Sequence, residues 1–145
     1  MKVSLLNDDR ERTFALIFET GDEVVAELKR FAKEYKPLSA HFTAIGAFSD
    51  AVLAYFDWPS KKYKDIPVTE QVEVLTLAGD IAWQDDGEPG LHAHVVVGRT
   101  DGSTRGGHLK AAHVRPTLEL VLVEYPKHLE RKFDASSGLA LIRVE

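Results

Sequence analysis

The chain has 145 residues, 44% of them hydrophobic, which is enough to bury the core of one globular domain. Its formal net charge of −5 provides no basic surface for a polyanion and therefore disfavours nucleic-acid binding. The chain contains no cysteine, which excludes disulfides, thiolate catalysis and cysteine-bound metals, so any metal must be held by His, Asp or Glu.

The first half of the chain is predicted to contain strands and one long helix. The N-terminus becomes charged too early for a signal peptide, and no later apolar run approaches the roughly 20 residues of a membrane span, so we expect a cytoplasmic protein without membrane association. Residues 13–20 are rich in β-branched and aromatic residues, which is typical of a strand. Thr20 and Glu23 fit a capping box, and Pro37 ends the helix that follows. One face of that helix carries Val24, Val25, Leu28, Phe31, Ala32 and Tyr35.

The remaining segments are predicted mainly as strands. Residues 39–58 alternate around Gly46 and indicate two strands, or one bent strand with a bulge. The other predicted elements are an exposed loop at 59–65, a strand at 71–83, a turn at 84–90, a histidine-bearing strand, a hairpin turn at Asp101-Gly102, a strand at 116–126, a possible short second helix at 127–134 and a strand at 139–145. The sum is a single α+β domain over residues 1–145, with about seven mostly antiparallel strands and one long amphipathic helix.

Three histidines in the stretch LHAHVVVGRTDGSTRGGHL offer the donor type that a metal would need. Side chains alternate along a strand, so His92 and His94 share one face and can chelate one ion. A two-residue turn at Asp101-Gly102 would pair His108 with Val95, on the wrong face. A one-residue bulge or close backbone approach at Gly106-Gly107 would bring it level with Val96, on the His94 side. The pattern therefore predicts a metal site at His92, His94 and His108.

Other interpretations of these residues stay open. A His-x-His pair without a third ligand is often only solvated, and the two glycines could simply be a flexible turn. Glu119, inside an apolar strand, could accept a hydrogen bond from a ligand histidine and orient it. Asp80, Glu88 and Glu119 are acidic candidates for a general base, none of which the sequence singles out.

The stretch LAGDIAWQDDGEPGLHAHVVVGRTDGSTRGGHL, followed by VRPTLELVL, resembles the PPC domain, the plants-and-prokaryotes-conserved domain. The similarity extends from FALIFETGDEVVAELKRFA through AIGAFSDAVLAYFD to the last strand. It implies an α+β fold, a homotrimer, and a histidine cluster at His92, His94 and His108. Plant members carry AT-hooks and bind partners, whereas free-standing prokaryotic members are labelled as DNA-binding although their activity is largely undetermined.

This sequence lacks the Arg-Gly-Arg-Pro core of an AT-hook, and the nearest string is TRGGH. It therefore resembles the free-standing prokaryotic type, and we expect DNA binding to be weak or absent. Two functions remain. One is a homotrimeric metal-binding protein with zinc or a similar divalent transition metal and a possible small-molecule partner. The alternative is a regulatory scaffold that binds protein or DNA without catalysis. The sequence does not decide whether the protein is an enzyme.

Overall fold

The computed structural model describes residues 1–7 and 11–143. These residues form nine strands and one helix, broadly the α+β class predicted from the sequence. In chain order the elements are β1 (Lys2–Asn7), β2 (Thr13–Glu19), α1 (Val24–Tyr35), β3 (Ala40–Asp57), β4 (Lys62–Val68), β5 (Val72–Gln84), β6 (Pro89–Gly98), β7 (Thr104–Glu124), β8 (Glu130–Asp134) and β9 (Leu139–Arg143). No helix in these ranges is long and apolar enough to cross a lipid bilayer.

The strands belong to one mixed sheet. Its main order is β1-β2-β7-β3-β5-β8-β9, with β4 added to β3 and with β6 paired to both β5 and β7. The pairings of β3 with β5, β5 with β6, β6 with β7 and β7 with β3 make a closed circuit. All the pairs are antiparallel except β5 with β8, which is parallel. The circuit fixes β6 and β7 on both sides, so the histidine-bearing hairpin is held by its neighbours.

Helix α1 begins at Val24, and its N-cap differs from the predicted capping box. Glu23 is the N-cap, and its carboxylate accepts a hydrogen bond from the backbone N–H of Ala26 at 2.6 Å. The hydroxyl of Thr20 instead donates to the carbonyl of Pro116 at 3.2 Å. A side-chain acceptor at the N-cap satisfies one of the unpaired N–H groups of the first turn, which is the role that the capping box assigned to Thr20.

The apolar core lies between α1 and the inner face of the sheet. Alternate residues of β2 are buried, and the Phe14 ring packs edge-on against Phe31 of the helix with centroids 5.1 Å apart. Ala93 and Val95 of β6 belong to the same buried cluster. Because side chains alternate along a strand, the residues between them face away from this core.

Three strands differ from the sequence prediction. β1 was not predicted, and β4 occupies much of the predicted loop at 59–65, where its side chains are mostly exposed and its backbone pairs with β3. The predicted short helix at 127–134 is wrong, because residues 130–134 form β8 between β5 and β9. The predicted last strand is present as β9 up to Arg143, and its final two residues lie outside the described ranges. The count is thus nine strands, not about seven, and the described residues contain no second helix.

The pairing of β3 shifts register beside Gly46, against β5 on one side and β7 on the other, which bears out the predicted irregularity within one continuous strand. Its φ of 152° is unfavourable for other residues, and an added Cβ would lie 2.3 Å from the Thr117 carbonyl oxygen. We expect Gly46→Ala to lower the free energy of unfolding by about 3 kcal/mol, combining backbone strain with overpacking. Urea denaturation monitored by circular dichroism measures this. Gly87→Ala is the matched control, since Gly87 has φ 79° but no atom within 4 Å of an added Cβ. Equal losses in the two variants would contradict the steric explanation.

Candidate metal centre

Three imidazole rings meet on the outer face of the β6–β7 hairpin. A ring nitrogen from each of His92, His94 and His108 lies within 4.8 Å of those of the other two. The Nε2 atoms of His92 and His94 are 3.2 Å apart, and His94 lies directly opposite His108 in the strand register. The structure therefore brings together all three histidines that the sequence selected.

A three-residue hairpin loop, Thr100 to Gly102, sets this register. The backbone N–H of Gly102 donates to the carbonyl of Arg99 at 2.9 Å, and the N–H of Arg99 donates to the carbonyl of Ser103 at 2.8 Å. Gly102 has φ 79°, so the loop is a turn followed by a left-handed residue, a common form of three-residue hairpin. The loop is thus one residue longer than the predicted two-residue turn.

The additional loop residue makes the predicted bulge at Gly106-Gly107 unnecessary. Gly106 and Gly107 pair regularly with Val96 and Val95, and His108 is level with His94 instead of Val96. The bulge is therefore wrong, although His108 does lie on the His94 face. Gly107 instead permits the close approach that was the other predicted option, because a Cβ there would lie 2.7 Å from the carbonyl oxygen of Ala54 on β3.

The environment of His92 and His108 favours the neutral form of both rings. Burial, with the repulsion of His92 and His94, lowers the pKa of His108 from 6.5 to about 4. Burial and the charge of His94 also lower the pKa of His92, against the opposing effect of Asp80. An unprotonated imidazole is the form that binds metals, so these shifts keep lone pairs available well below neutral pH.

Asp80 and Arg131 form the polar surroundings of His92. Asp80 lies opposite His92 on β5, with Oδ2 3.8 Å from the Nδ1 atom of His92. Its Oδ1 accepts a hydrogen bond from Nη2 of Arg131 at 2.5 Å. From the sequence, Asp80 was only one of three candidate bases, and nothing there pointed to Arg131. The signal for Asp80 was its place in the strand preceding the histidine hairpin, but the register was needed to align it with His92.

Tyr63 of β4 is a further neighbour that sequence reasoning missed. Its ring lies against His108, with centroids 4.8 Å apart and planes tilted by 32°. The segment was predicted as a solvated loop, so no signal marked this tyrosine. The contact covers one side of His108, whose Nδ1 atom is buried and has no hydrogen-bond partner among the described residues.

Glu119 does not accompany the histidines. It lies eleven positions beyond His108 on β7, pairs with Ile17 and Ile45, and is exposed. The carboxylate beside a candidate ligand is that of Asp80. Asp80 therefore occupies the position, next to a ligand histidine, that was predicted for Glu119. Glu88, the third acidic candidate, forms an ion pair with Lys33 on the surface.

The donor set fits a divalent transition metal. Nitrogen ligands of a tetrahedral zinc ion are about 3.3 Å apart, a value that follows from Zn–N bonds of roughly 2.0–2.1 Å. The distance between the Nε2 atoms of His92 and His94 is already close to this, and small rotations of His108 would bring its nitrogen nearer. Three neutral nitrogens leave a fourth coordination position for water or another ligand. The Nδ1 atom of His108 is buried and has no hydrogen-bond partner among the described residues, so this ring has unused bonding capacity beside the other two rings.

Solved structures with the same fold include proteins of several organisms. A metal-containing protein from Archaeoglobus fulgidus is 31% identical, with a TM-score of 0.83 over 99% of this chain and 97% of that one. A plant- and prokaryote-conserved (PPC) protein from Pyrococcus horikoshii is 32% identical, with a TM-score of 0.85 over 99% and 96%. The "Putative DNA-binding protein" from Ralstonia eutropha JMP134 is 28% identical, with a TM-score of 0.84 over 91% of each chain.

A curated relative shares only one part of its length with this chain. The bifunctional protein GlmU of Synechococcus sp. (strain JA-3-3Ab) is 30% identical over 138 residues, which are 92% of this chain but 21% of that protein. The chain thus spans about a fifth of the length of this relative. Residues 7–126 match the model of one family along most of the chain. The protein therefore belongs to the family of the Plants and Prokaryotes Conserved (PCC) domain, which is the PPC family that the sequence resembles.

Proposed function

We propose that this protein is a homotrimeric metal-binding protein in which His92, His94 and His108 hold a zinc ion or a similar divalent cation. The observation that carries the proposal is the convergence of a nitrogen from each ring within 4.8 Å, on two strands fixed in register. The metal-containing protein of Archaeoglobus fulgidus, which shares the fold at 31% identity, supports it. A cytoplasmic location stays a prediction from the sequence.

Zinc is the proposed occupant because neutral imidazoles suit it and the chain has no thiolate to select another metal. When bound, such an ion supplies a Lewis acid and a lowered pKa for its bound water. The protein's own part would be to orient the rings. Asp80 lies on the Nδ1 side of His92, and Arg131 holds that carboxylate in place.

The metal content of protein purified without chelators tests the proposal. We expect about one equivalent of zinc, or of copper or nickel acquired during purification, for each chain by elemental mass spectrometry. A metal-free preparation should take up one equivalent of zinc on titration. Failure of both measurements would overturn the metal-binding function.

The homotrimer is supported by an exposed apolar area on the outer face of the sheet. Ile45, Leu75 and Val121 are 61%, 52% and 45% exposed, and with Glu119 they border shallow grooves. A soluble chain gains by covering such an area with another copy of itself. We predict that light scattering after gel filtration gives about three times the chain mass of 16.1 kDa, and that Ile45→Glu shifts the mass towards one chain. A monomeric parent at micromolar concentration would contradict the trimer.

The alternative function is a regulatory scaffold that binds protein or DNA without chemistry. The similarity to the "Putative DNA-binding protein" of Ralstonia eutropha supports this alternative. With 23 acidic and 18 basic residues, however, the chain can neutralise few phosphates. We predict no specific complex with AT-rich duplex DNA in a gel shift at physiological salt. A sequence-dependent complex that survives added salt would favour the scaffold over the proposed function.

A further inference from the structure

A cavity of about 260 Å³ borders the candidate metal centre. His92 and His108 form part of its wall, so it reaches the same rings that would hold the metal. Its other walls come from α1, β4, the C-terminal end of β5, the start of β6, and the β8–β9 hairpin. The volume lies below the range of roughly 300–1,000 Å³ that is usual for drug-sized ligands, so the cavity suits a molecule of few atoms.

The charged side chains that line this cavity are cationic. They are Lys29 of α1 and Arg131 of β8, and none of the described lining residues carries a carboxylate. This is notable in a chain with a net charge of −5. Lys29 has no ion-pair partner in the described parts of the chain, although the neighbouring Lys33 on the same helix pairs with Glu88. Because Asp80 offsets the charge of Arg131, the uncompensated charge at the cavity is that of Lys29, and it favours an anion.

Arg131 has hydrogen-bonding capacity that the described residues do not use. Its side chain is 8% exposed, its Nη2 donates to Asp80 and its Nη1 donates to the carbonyl of Ala140 at 3.0 Å. The Nε–H is buried and has no partner. Each Nη atom also carries a second N–H beyond the one that Ala140 or Asp80 accepts, and these N–H groups could donate to an oxyanion at the cavity wall.

Beside the polar Gln84 and Tyr63, part of the wall is aliphatic, and this part points to an organic ligand. Leu91, Leu139 and Leu141 line the cavity together with Pro89. Such residues gain free energy by covering a short aliphatic group, which an inorganic ion does not provide. The two cations would hold a carboxylate, and the leucines would cover the rest of the molecule.

We propose that this cavity binds a small carboxylate with a short aliphatic body, held by Lys29 and Arg131. The bound molecule would lie beside His92 and His108, and in this respect the proposal rests on the proposed metal site. The carboxylate would thus be a ligand class for the proposed metal site.

Isothermal titration calorimetry with isovalerate tests the proposal, in protein stripped with EDTA and in protein loaded with zinc. We expect isovalerate to bind in both states, and its neutral amide, isovaleramide, to bind at least about tenfold more weakly because it lacks the charge. Lys29→Gln should weaken isovalerate binding about fivefold, as expected for the loss of one partly exposed charge. Lys33→Gln is the matched control on the same helix and should bind like the parent.

Several outcomes would overturn the assignment. These are no measurable binding of isovalerate, equal binding of isovaleramide, or an unchanged affinity in Lys29→Gln. Inorganic phosphate binding as tightly as isovalerate would overturn the organic ligand, since phosphate makes no use of the leucines. If the protein takes up no zinc but binds isovalerate through Lys29, the proposed function fails and the cavity assignment stands. If zinc binds and isovalerate does not, the reverse holds.

Discussion

Replacing His94 with alanine is expected to remove the stoichiometric metal while leaving the fold intact. The Nε2 atom of His94 lies 3.2 Å from that of His92, and His94 is directly opposite His108, so its loss removes one of three ligands and the pair of nitrogens with zinc-like spacing. The side chain is exposed, so its truncation opens no cavity in the core. We expect zinc affinity to fall by at least about 100-fold, since even residues that only support a ligand are worth 10–100-fold.

Elemental mass spectrometry and zinc titration of the parent and variant measure this loss, and circular dichroism verifies the fold. His113→Ala is the matched control, because His113 is an exposed histidine on the same strand that contacts Asp50 and not the three-histidine site. Full metal content in His94→Ala would show that the ion lies elsewhere. If the parent itself binds no metal, the three rings would instead form a hydrogen-bonded pocket for a polar or anionic ligand.

Zinc binding should begin to weaken only below the range near pH 6.5 in which free histidine titrates, and it should disappear near pH 4. Protons compete with the metal for the ring nitrogens, and the affinity falls by about tenfold per pH unit for each competing proton. Because the pKa of His108 is lowered to about 4 and that of His92 is also lowered, the competition is displaced to lower pH than for free histidine. The free energy of unfolding changes with pH in the same direction as zinc affinity. The unfolded chain takes up protons below 6.5 before the folded one does, so the folded state loses stability as the pH falls towards 4.

Equilibrium dialysis against buffered zinc at pH 7.5, 6, 5 and 4 measures this profile, and thermal unfolding with and without zinc provides a second readout. The zinc-induced gain in Tm should shrink in parallel with the bound metal. His113→Ala should show the same profile as the parent, because His113 contacts Asp50, which raises its pKa, and does not contact the three-histidine site. Zinc content that stays constant between pH 7.5 and 4 would be inconsistent with imidazole ligands.

The elements that the sequence revealed are those that bury an apolar face of their own. The alternation in β2 and the helical spacing of Val24, Leu28, Phe31 and Ala32 follow directly from contact with the core. β4 and β8 were missed because they bury little. β4 is exposed along most of its length, and Phe133 of β8 is 70% exposed. Their pairing depends on partner strands far along the chain, which no local pattern records.

The candidate site was predictable to the level of side-chain type and strand face. The His-x-His spacing alone placed His92 and His94 together, but the position of His108 depended on the length of a loop that two different turns could have formed. Asp80 and Arg131 meet His92 only through the pairing of β5 with β6 and with β8. Glu119 drew interest as an acidic residue in an apolar strand, yet it lies on an exposed outer face where a charge costs little.

The length of the loop from Thr100 to Gly102 determines whether His108 lies on the same face of the sheet as His92 and His94. Lengthening or shortening it by one residue would set His108 opposite a β6 residue that faces the core, unless a bulge compensated. A change of two residues would keep His108 on the outer face but move it to another rung of the hairpin. Related chains that retain all three histidines should therefore hold this loop at one length, even though it lies on the surface, where insertions are usually tolerated.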